Sequence, residues 1–398
     1  MRNLKWKGAF PCCILAAVLV ISGCVPAKEP AVTAPSTRPE EPSETASGPA
    51  LERGMPSVRL EARDVPLAPA VALEEGETLE VLWACPDRVL YAIQSRRQGD
   101  AQTNARFETR QLGLFDLASG AVSESWTPEA GKQVLSGVCV GARVCYLAAE
   151  LEGDGMPQAF DVNAYSDGQI TAVEQGAPWI QDLTVLRDGT AVYSYCQETG
   201  GAFGVRAVRP DGQVQQICQW QAGEDNEPLA GALSAYGDSF LLALRLDGAF
   251  VLLEGTAQGE SARYPLKLGT EKLDNFCLTQ SGPMACLSVA EQTPEAKRQL
   301  VLFPQTGDPI RLDRVASGAL YRMTCNGCFI LAVDSNYRLY LVYPGKDRVA
   351  CRLLSLAELG EKELDGTPVQ LWPDDEMRFF CYFPDSMRLL RLAAAPTA

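Results

Sequence analysis

From residue 57 onward the chain alternates apolar and polar positions in short runs, broken by Gly, Asp, Asn and Pro. Helical periodicity is scarce, so the pattern predicts strands joined by tight turns. A strand, a turn and a second, more apolar strand recur as "EVLWACPDRVLYAI", "VLSGVCVGARVCYLA", "QDLTVLRDGTAVYSYC", "GALSAYGDSFLLAL", "NFCLTQSGPMACLSV", "LYRMTCNGCFILAV" and "PVQLWPDDEMRFFCYF". The turns centre near residues 87, 141, 188, 237, 282, 327 and 374, with gaps of 54, 47, 49, 45, 45 and 47. Second hairpins such as "FDVNAYSDGQITAV" and "VRAVRPDGQVQQIC" fill the intervals, each with a Gly-bearing turn.

Four strands per interval, repeated around seven turn centres, resembles a seven-bladed β-propeller. The Gly-His and Trp-Asp marks of WD40 repeats are missing. "FDLASGAVSESW" loosely resembles the turn of quinoprotein-type propellers, but only once, and implies no quinone. The seventh unit ends in "SMRLLRLAAAPTA", one strand short of four, while "PSVRLEARDV" (56–65) alternates without a unit of its own. A strand from 57–62 is therefore expected to complete the last blade and cover its edge. The expected fold class is all-β: a seven-bladed β-propeller over 57–398, closed by an N-terminal strand. A six- or eight-bladed ring and a pair of β-sandwiches are the competing architectures.

The first 23 residues carry Arg2, Lys5 and Lys7 and an apolar run from Ala9 to Ile21, the length of a signal h-region. The run ends in Ile21-Ser22-Gly23-Cys24, which resembles the lipobox of bacterial lipoproteins. The resemblance implies cleavage before Cys24, lipidation of its thiol and anchoring to the bacterial cell membrane from its extracytoplasmic side. Residues 24–56 follow as a Pro-, Ser-, Thr- and Glu-rich linker, expected to be disordered because nothing in it can form a core. Its reach is roughly 30 Å as a coil and about 100 Å if polyproline-like.

Net charge is −15, or −18 once the +3 of the leader is set aside. Such a surface repels phosphate backbones and argues against nucleic acid as a partner. Histidine is absent, which removes Ser-His-Asp and Cys-His triads and His-ligated zinc. Carboxylate, lysine and tyrosine chemistry remain open. Of 14 cysteines, eleven follow Cys24, mostly inside apolar runs, and read as small buried hydrophobes rather than a disulfide framework.

Propeller geometry gathers the long insertions on one face, that of the second-to-third connections and the links between blades. Arg96, Arg97, Asp100, Asp154, Glu198, Asp225, Arg245, Asp247, Asp334 and Asp385 belong near it. Ligand-binding candidates among them are Arg96, Arg97, Asp154, Glu198, Arg245, Asp247, Asp334 and Asp385, each weighed against the plainer reading of a solvated loop charge. "EGDG" (152–155) lacks the rest of a calcium loop. Trp83, Trp179 and Trp372 suit packing between blades better than sugar stacking. Neither a cofactor nor a metal is expected.

Cys325 and Cys328 form a Cys-x-x-Cys pair, but Asn326-Gly327 falls in the turn slot of the sixth unit and "FILAV" follows as a strand. A redox motif needs a helix N-terminus there, and zinc needs a second ligand pair; a local disulfide across the turn stays open. The reading favoured is a monomeric, membrane-anchored, non-catalytic binding or assembly module, with membrane lipid at Cys24 and an envelope protein or glycan as partners. The alternative is an envelope polysaccharide lyase or hydrolase working through carboxylates or Tyr/Lys.

Overall fold

The computed structural model describes the chain between residues 57 and 396 apart from short connecting segments, among them 98–105, 152–156, 198–200, 292–297 and 360–368. Blade 5 is described through its backbone. The leader, Cys24 and the linker lie outside the described residues.

Among the described residues the strands pair into seven four-stranded antiparallel sheets. Six of them are each built from four consecutive strands: blade 1 (77–126), blade 2 (133–177), blade 3 (180–221), blade 4 (227–265), blade 5 (271–313) and blade 6 (320–354). Counted by continuous chain, the blades number six rather than seven, and the seven-bladed expectation is corrected to that extent. The remaining sheet is a composite of the two ends of the chain. Gln370–Pro373, Arg378–Phe383 and Arg388–Pro396 supply three strands, and Val58–Val65 adds the fourth, ending three residues beyond the expected run 57–62. Val58 lies opposite Pro396 and Val65 opposite Leu389.

First strands of neighbouring sheets touch one another around the ring, which makes them the innermost. Second strands lie between flanking strands and between neighbouring blades, so both of their faces are covered. This explains their near-continuous apolar sequences. Val89, Leu90, Tyr91, Ala92 and Ile93 are all buried, as are Phe379 to Phe383. Each large apolar side chain removed from water in this way stabilises the fold by about 1.5–3 kcal/mol. Two aromatic rings lie over glycines of the neighbouring strand: Tyr91 faces Gly113 and Phe240 faces Gly255. A Cβ at either glycine would come within 2.4 Å of the ring, so glycine is required there by the close approach.

The innermost strands of blades 1 to 6 all carry a register irregularity, as between Val81 and Trp83, Val134 and Ser136, and Ile180 and Asp182. A bulge bends and twists its strand, so each innermost strand turns sharply where the ring narrows. Trp83 follows the first of these bulges and packs against three separate apolar clusters. Trp372 is buried between the composite sheet and blade 1, and Trp179 meets Phe160 edge-on at 5.4 Å. All three tryptophans serve packing.

The composite sheet joins its neighbours on both sides. One apolar cluster links it to blade 6 through Leu339, Leu341 and Leu354, and another links it to blade 1 through Leu79, Val81 and Tyr91. Tyr382 Oη donates to the Leu79 carbonyl at 2.5 Å. Arg388 pairs with Asp64 of the added strand and holds that carboxyl below its ordinary range.

Two outcomes follow for this seam. Deleting residues 57–65 bares the edge of Arg388–Pro396 and should convert the monomer peak in size-exclusion chromatography into aggregate. Leu392→Ala, at a fully buried position of the same strand, should lower stability in urea denaturation by about 2–5 kcal/mol.

Candidate functional site

Turn-to-turn contacts show how the connections sort. Arg187 N in the first turn of blade 3 donates to Gly237 O in the first turn of blade 4 at 2.8 Å. These first turns define a short-turn face. On the opposite face, Gly248 N donates to Asp225 O at 2.9 Å and Asp247 N donates to Asn226 Oδ1 at 2.8 Å. That second pair ties the second-to-third turn of blade 4 to the link from blade 3.

Of the residues singled out by sequence, the structure gathers Asp225, Arg245 and Asp247 at this loop-face joint. Asp247 (φ 50°) and Gly248 (φ 77°) make a two-residue turn with both central residues left-handed, the form that Asp-Gly favours. Arg245 Nε reaches Gly248 O at 3.4 Å. Arg96 and Arg97 end the second strand of blade 1, opposite Phe107 and Arg106, and Asp334 ends that of blade 6, opposite Leu320. All three therefore stand at the loop-face end of their blades. Asp100, Asp154, Glu198 and Asp385 lie outside the described residues.

Several other described charges form ion pairs within the ring. Arg110 pairs with Glu77, Lys132 with Asp161 and Glu129, Arg206 with Glu174, and Arg391 with Asp374. One of these, Arg206 with Glu174, bridges two blades. Glu174 on the outermost strand of blade 2 takes both Arg206 and the Tyr193 hydroxyl of blade 3. Glu124 of blade 1 takes the Tyr165 hydroxyl of blade 2 at 3.1 Å, beneath a Trp126–Tyr165 stack at 3.7 Å. The Arg206 guanidinium also lies 4.2 Å from the centre of the Tyr195 ring.

Two features escaped sequence reasoning. The first is a cleft of about 320 Å³ on the short-turn face between blades 2 and 3, bordered by Gly141, Arg143, Ser166, Asp167, Asp188 and Gly189. Its residues sit in tight turns, so in sequence they read only as turn formers. The Asp188 carboxylate is occupied by the Thr190 backbone and hydroxyl at 2.8 and 3.0 Å.

The second is Glu80, on the innermost strand of blade 1. It is partly buried, on the side of the strand that faces blade 2. Burial pushes its carboxyl from 4.5 up to about 7, against a hydrogen bond from Gln94 Nε2 at 2.8 Å. The Gln94 amide also donates to Val134 O of blade 2 at 3.3 Å, and Gln94 Oε1 is buried without a hydrogen-bond partner. Protonating Glu80 would supply a donor beside that amide. The available signal was a lone charge in an otherwise apolar inner strand, "TLEVLW".

Among the described residues no group of three Cys, Asp or Glu side chains has metal-binding geometry. No helix there is long and apolar enough to cross a membrane. Burial pushes the thiols of Cys145, Cys351 and Cys381 up to about 12, which makes them poor nucleophiles.

No family model matches the sequence, and no characterised protein matches it. Solved structures do resemble its fold. The β-propeller domain of the Trilobed protease from Pyrococcus furiosus has a TM-score of 0.45 at 7% identity, over 82% of this chain and 96% of that one. Uncomplexed acylaminoacyl peptidase from Pyrococcus horikoshii has 0.48 at 8%, over 77% and 49%. TolB from Acinetobacter baumannii has 0.38 at 13%, over 75% and 78%. The chain is an all-β propeller by its own sheets, and at these identities the likeness reaches no further than fold.

The raised carboxyl of Glu80 has a testable sign. A group whose folded value lies above its unfolded one contributes stability below about pH 4.5 and loses it as pH rises through about 7. The loss amounts to ~3 kcal/mol. Denaturation midpoints of wild type at pH 5 and pH 8 should differ in that direction, and Glu80→Gln should remove this part of the difference.

Proposed function

We propose that the protein is a lipid-anchored, extracytoplasmic binding module that presents its loop face to an envelope protein or glycan. One observation carries the reading. The added strand Val58–Val65 starts beside Pro396, at the short-turn end of the composite sheet, and finishes beside Leu389 at the loop-face end. The linker from Cys24 thus joins the disc on the short-turn side. A disc held from there keeps its loop face, with Asp225, Arg245 and Asp247, turned toward solvent. The lipobox-like Ile21-Ser22-Gly23-Cys24 supports the anchor. Commitment of many described charges to ion pairs between or within blades supports binding over catalysis.

An enzymatic reading has one observation in its favour, the near-neutral carboxyl of Glu80 on the innermost strand of blade 1. A lyase or hydrolase needs a partner for it: a second carboxylate, or an Arg or Lys that stabilises developing charge. Among the described residues the Gln94 amide donates to it at 2.8 Å.

The test has two arms. Cys24→Ala should move the full chain from the membrane pellet to the soluble fraction, or leave it unprocessed; unchanged membrane retention would sink the anchor. Wild-type protein in nanodiscs should retain glycans or peptidoglycan fragments intact, with retention weakened by Arg245→Ala combined with Asp247→Ala. Shortened or unsaturated products in the same assay would decide for the enzyme.

A further inference from the structure

The repeat places cysteines in an unexpected relation. Cys85 precedes its turn centre at residue 87 by two positions, Cys139 precedes 141 by two, and Cys325 precedes 327 by two. All three occupy one slot of the repeat, at the short-turn end of an innermost strand. Only blades 1 and 2 are neighbours that both carry it. In that slot the flanking units of blade 6 have Gln280 and Trp372.

The structure brings the first two together. Cys139 is buried, at 1% exposure, in the apolar cluster between blades 1 and 2, and Cys85 packs against the same cluster. The Cys85 thiol beside it, together with burial, pushes the Cys139 thiol above its ordinary range. Cys85 is half-exposed, and its Sγ also lies 3.2 Å from Asp87 Oδ1 and 3.4 Å from Arg88 O. The surrounding turn is fixed by Cys85 N donating to Arg88 O at 2.9 Å. One thiol of the pair is open to solvent and the other is shielded behind it, the arrangement of an attacking and a resolving cysteine.

We propose that Cys85 and Cys139 are a reversible disulfide site that joins blade 1 to blade 2 on the short-turn face. The oxidant is a low-molecular-weight disulfide, RSSR. Cys85 loses its proton and its thiolate attacks one sulfur of RSSR, forming a mixed disulfide and expelling RS⁻. Cys139 then loses its proton and attacks the Cys85 sulfur, forming the Cys85–Cys139 bond and expelling the second RS⁻. The two protein protons end on the two RSH products, and RSSR takes the two electrons. The bond closes a loop across the seam between two adjacent blades, so it limits their separation in the unfolded chain and resists their parting in the folded one. The site stands apart from the proposed binding role, because it lies on the other face and needs no ligand.

The experiment is oxidation of reduced full-length protein in detergent with oxidised glutathione, followed by alkylation, digestion and mass spectrometry. The expected first crosslink joins the Cys85 and Cys139 peptides, raises the thermal midpoint, and reverses with dithiothreitol. Cys139→Ser should instead accumulate a glutathione adduct on Cys85, because the resolving thiol is gone. Recovery of Cys85 and Cys139 as alkylated thiols would overturn the proposal. So would a first crosslink between Cys325 and Cys328, or between Cys277 and Cys286, which face each other across two strands of blade 5.

Discussion

Everything in this fold depends on one sheet being assembled from both ends of the chain. Blades stacked around an axis leave no partner for the first and last faces unless the ring meets itself. Here the meeting place is the composite sheet, where Val58–Val65 pairs with Arg388–Pro396 along its whole length. Apolar packing alone would hold the two flanks, since its side chains belong to the core of blade 6 on one side and blade 1 on the other. Polar contacts then fix the register: Asp64 with Arg388, Asp374 with Arg391, and Tyr382 with the Leu79 carbonyl. Asp374 is fully buried beneath its two arginines, Arg378 and Arg391. Such a carboxylate is tolerable only while the C-terminal strands that carry both arginines stay paired, because a buried charge without its partner is costly.

The architecture was legible because it rests on local signals. Alternation with a period of two marks strands, and Asp-Gly, Gly-Asp and Pro-Asp mark hairpins. The doubly covered second strands announce themselves by losing the alternation, as in "VLYAI" and "FFCYF". The composite sheet was visible as a shortage at one end and a surplus at the other. Continuity was harder to weigh, since seven turn centres look alike in sequence while only six blades are continuous.

The chemistry was less legible, for a physical reason. Glu77 and Arg110 are 33 residues apart, Lys132 and Asp161 are 29 apart, and Arg206 and Glu174 are 32 apart. No local pattern distinguishes these residues from solvated charges, because their partners sit on other strands or other blades. The inner bulges show the same limit. The displaced residues include Leu82, Leu135 and Gln181, which share no side-chain property, so the backbone repeats a feature that the residue types do not. The cysteine slot is intermediate: its spacing is in the sequence, but only the ring makes blades 1 and 2 neighbours.

Glu80 shows how the same ring can separate structure from function. A carboxyl at this depth costs stability when ionised, and nothing about closing the ring requires one there. Gln94 meets half of its need and leaves its own amide oxygen buried without a partner. A protonated Glu80 reduces both problems, so the seam favours a neutral acid at moderate pH. A neutral acid can donate a hydrogen bond or a proton, yet catalysis of sugar or peptide cleavage also needs something to receive the opposite charge. What its contacts show is a polar seam: Glu80 accepts from Gln94, and Gln94 in turn reaches Val134 O of blade 2. The disulfide site would span that boundary near its short-turn end.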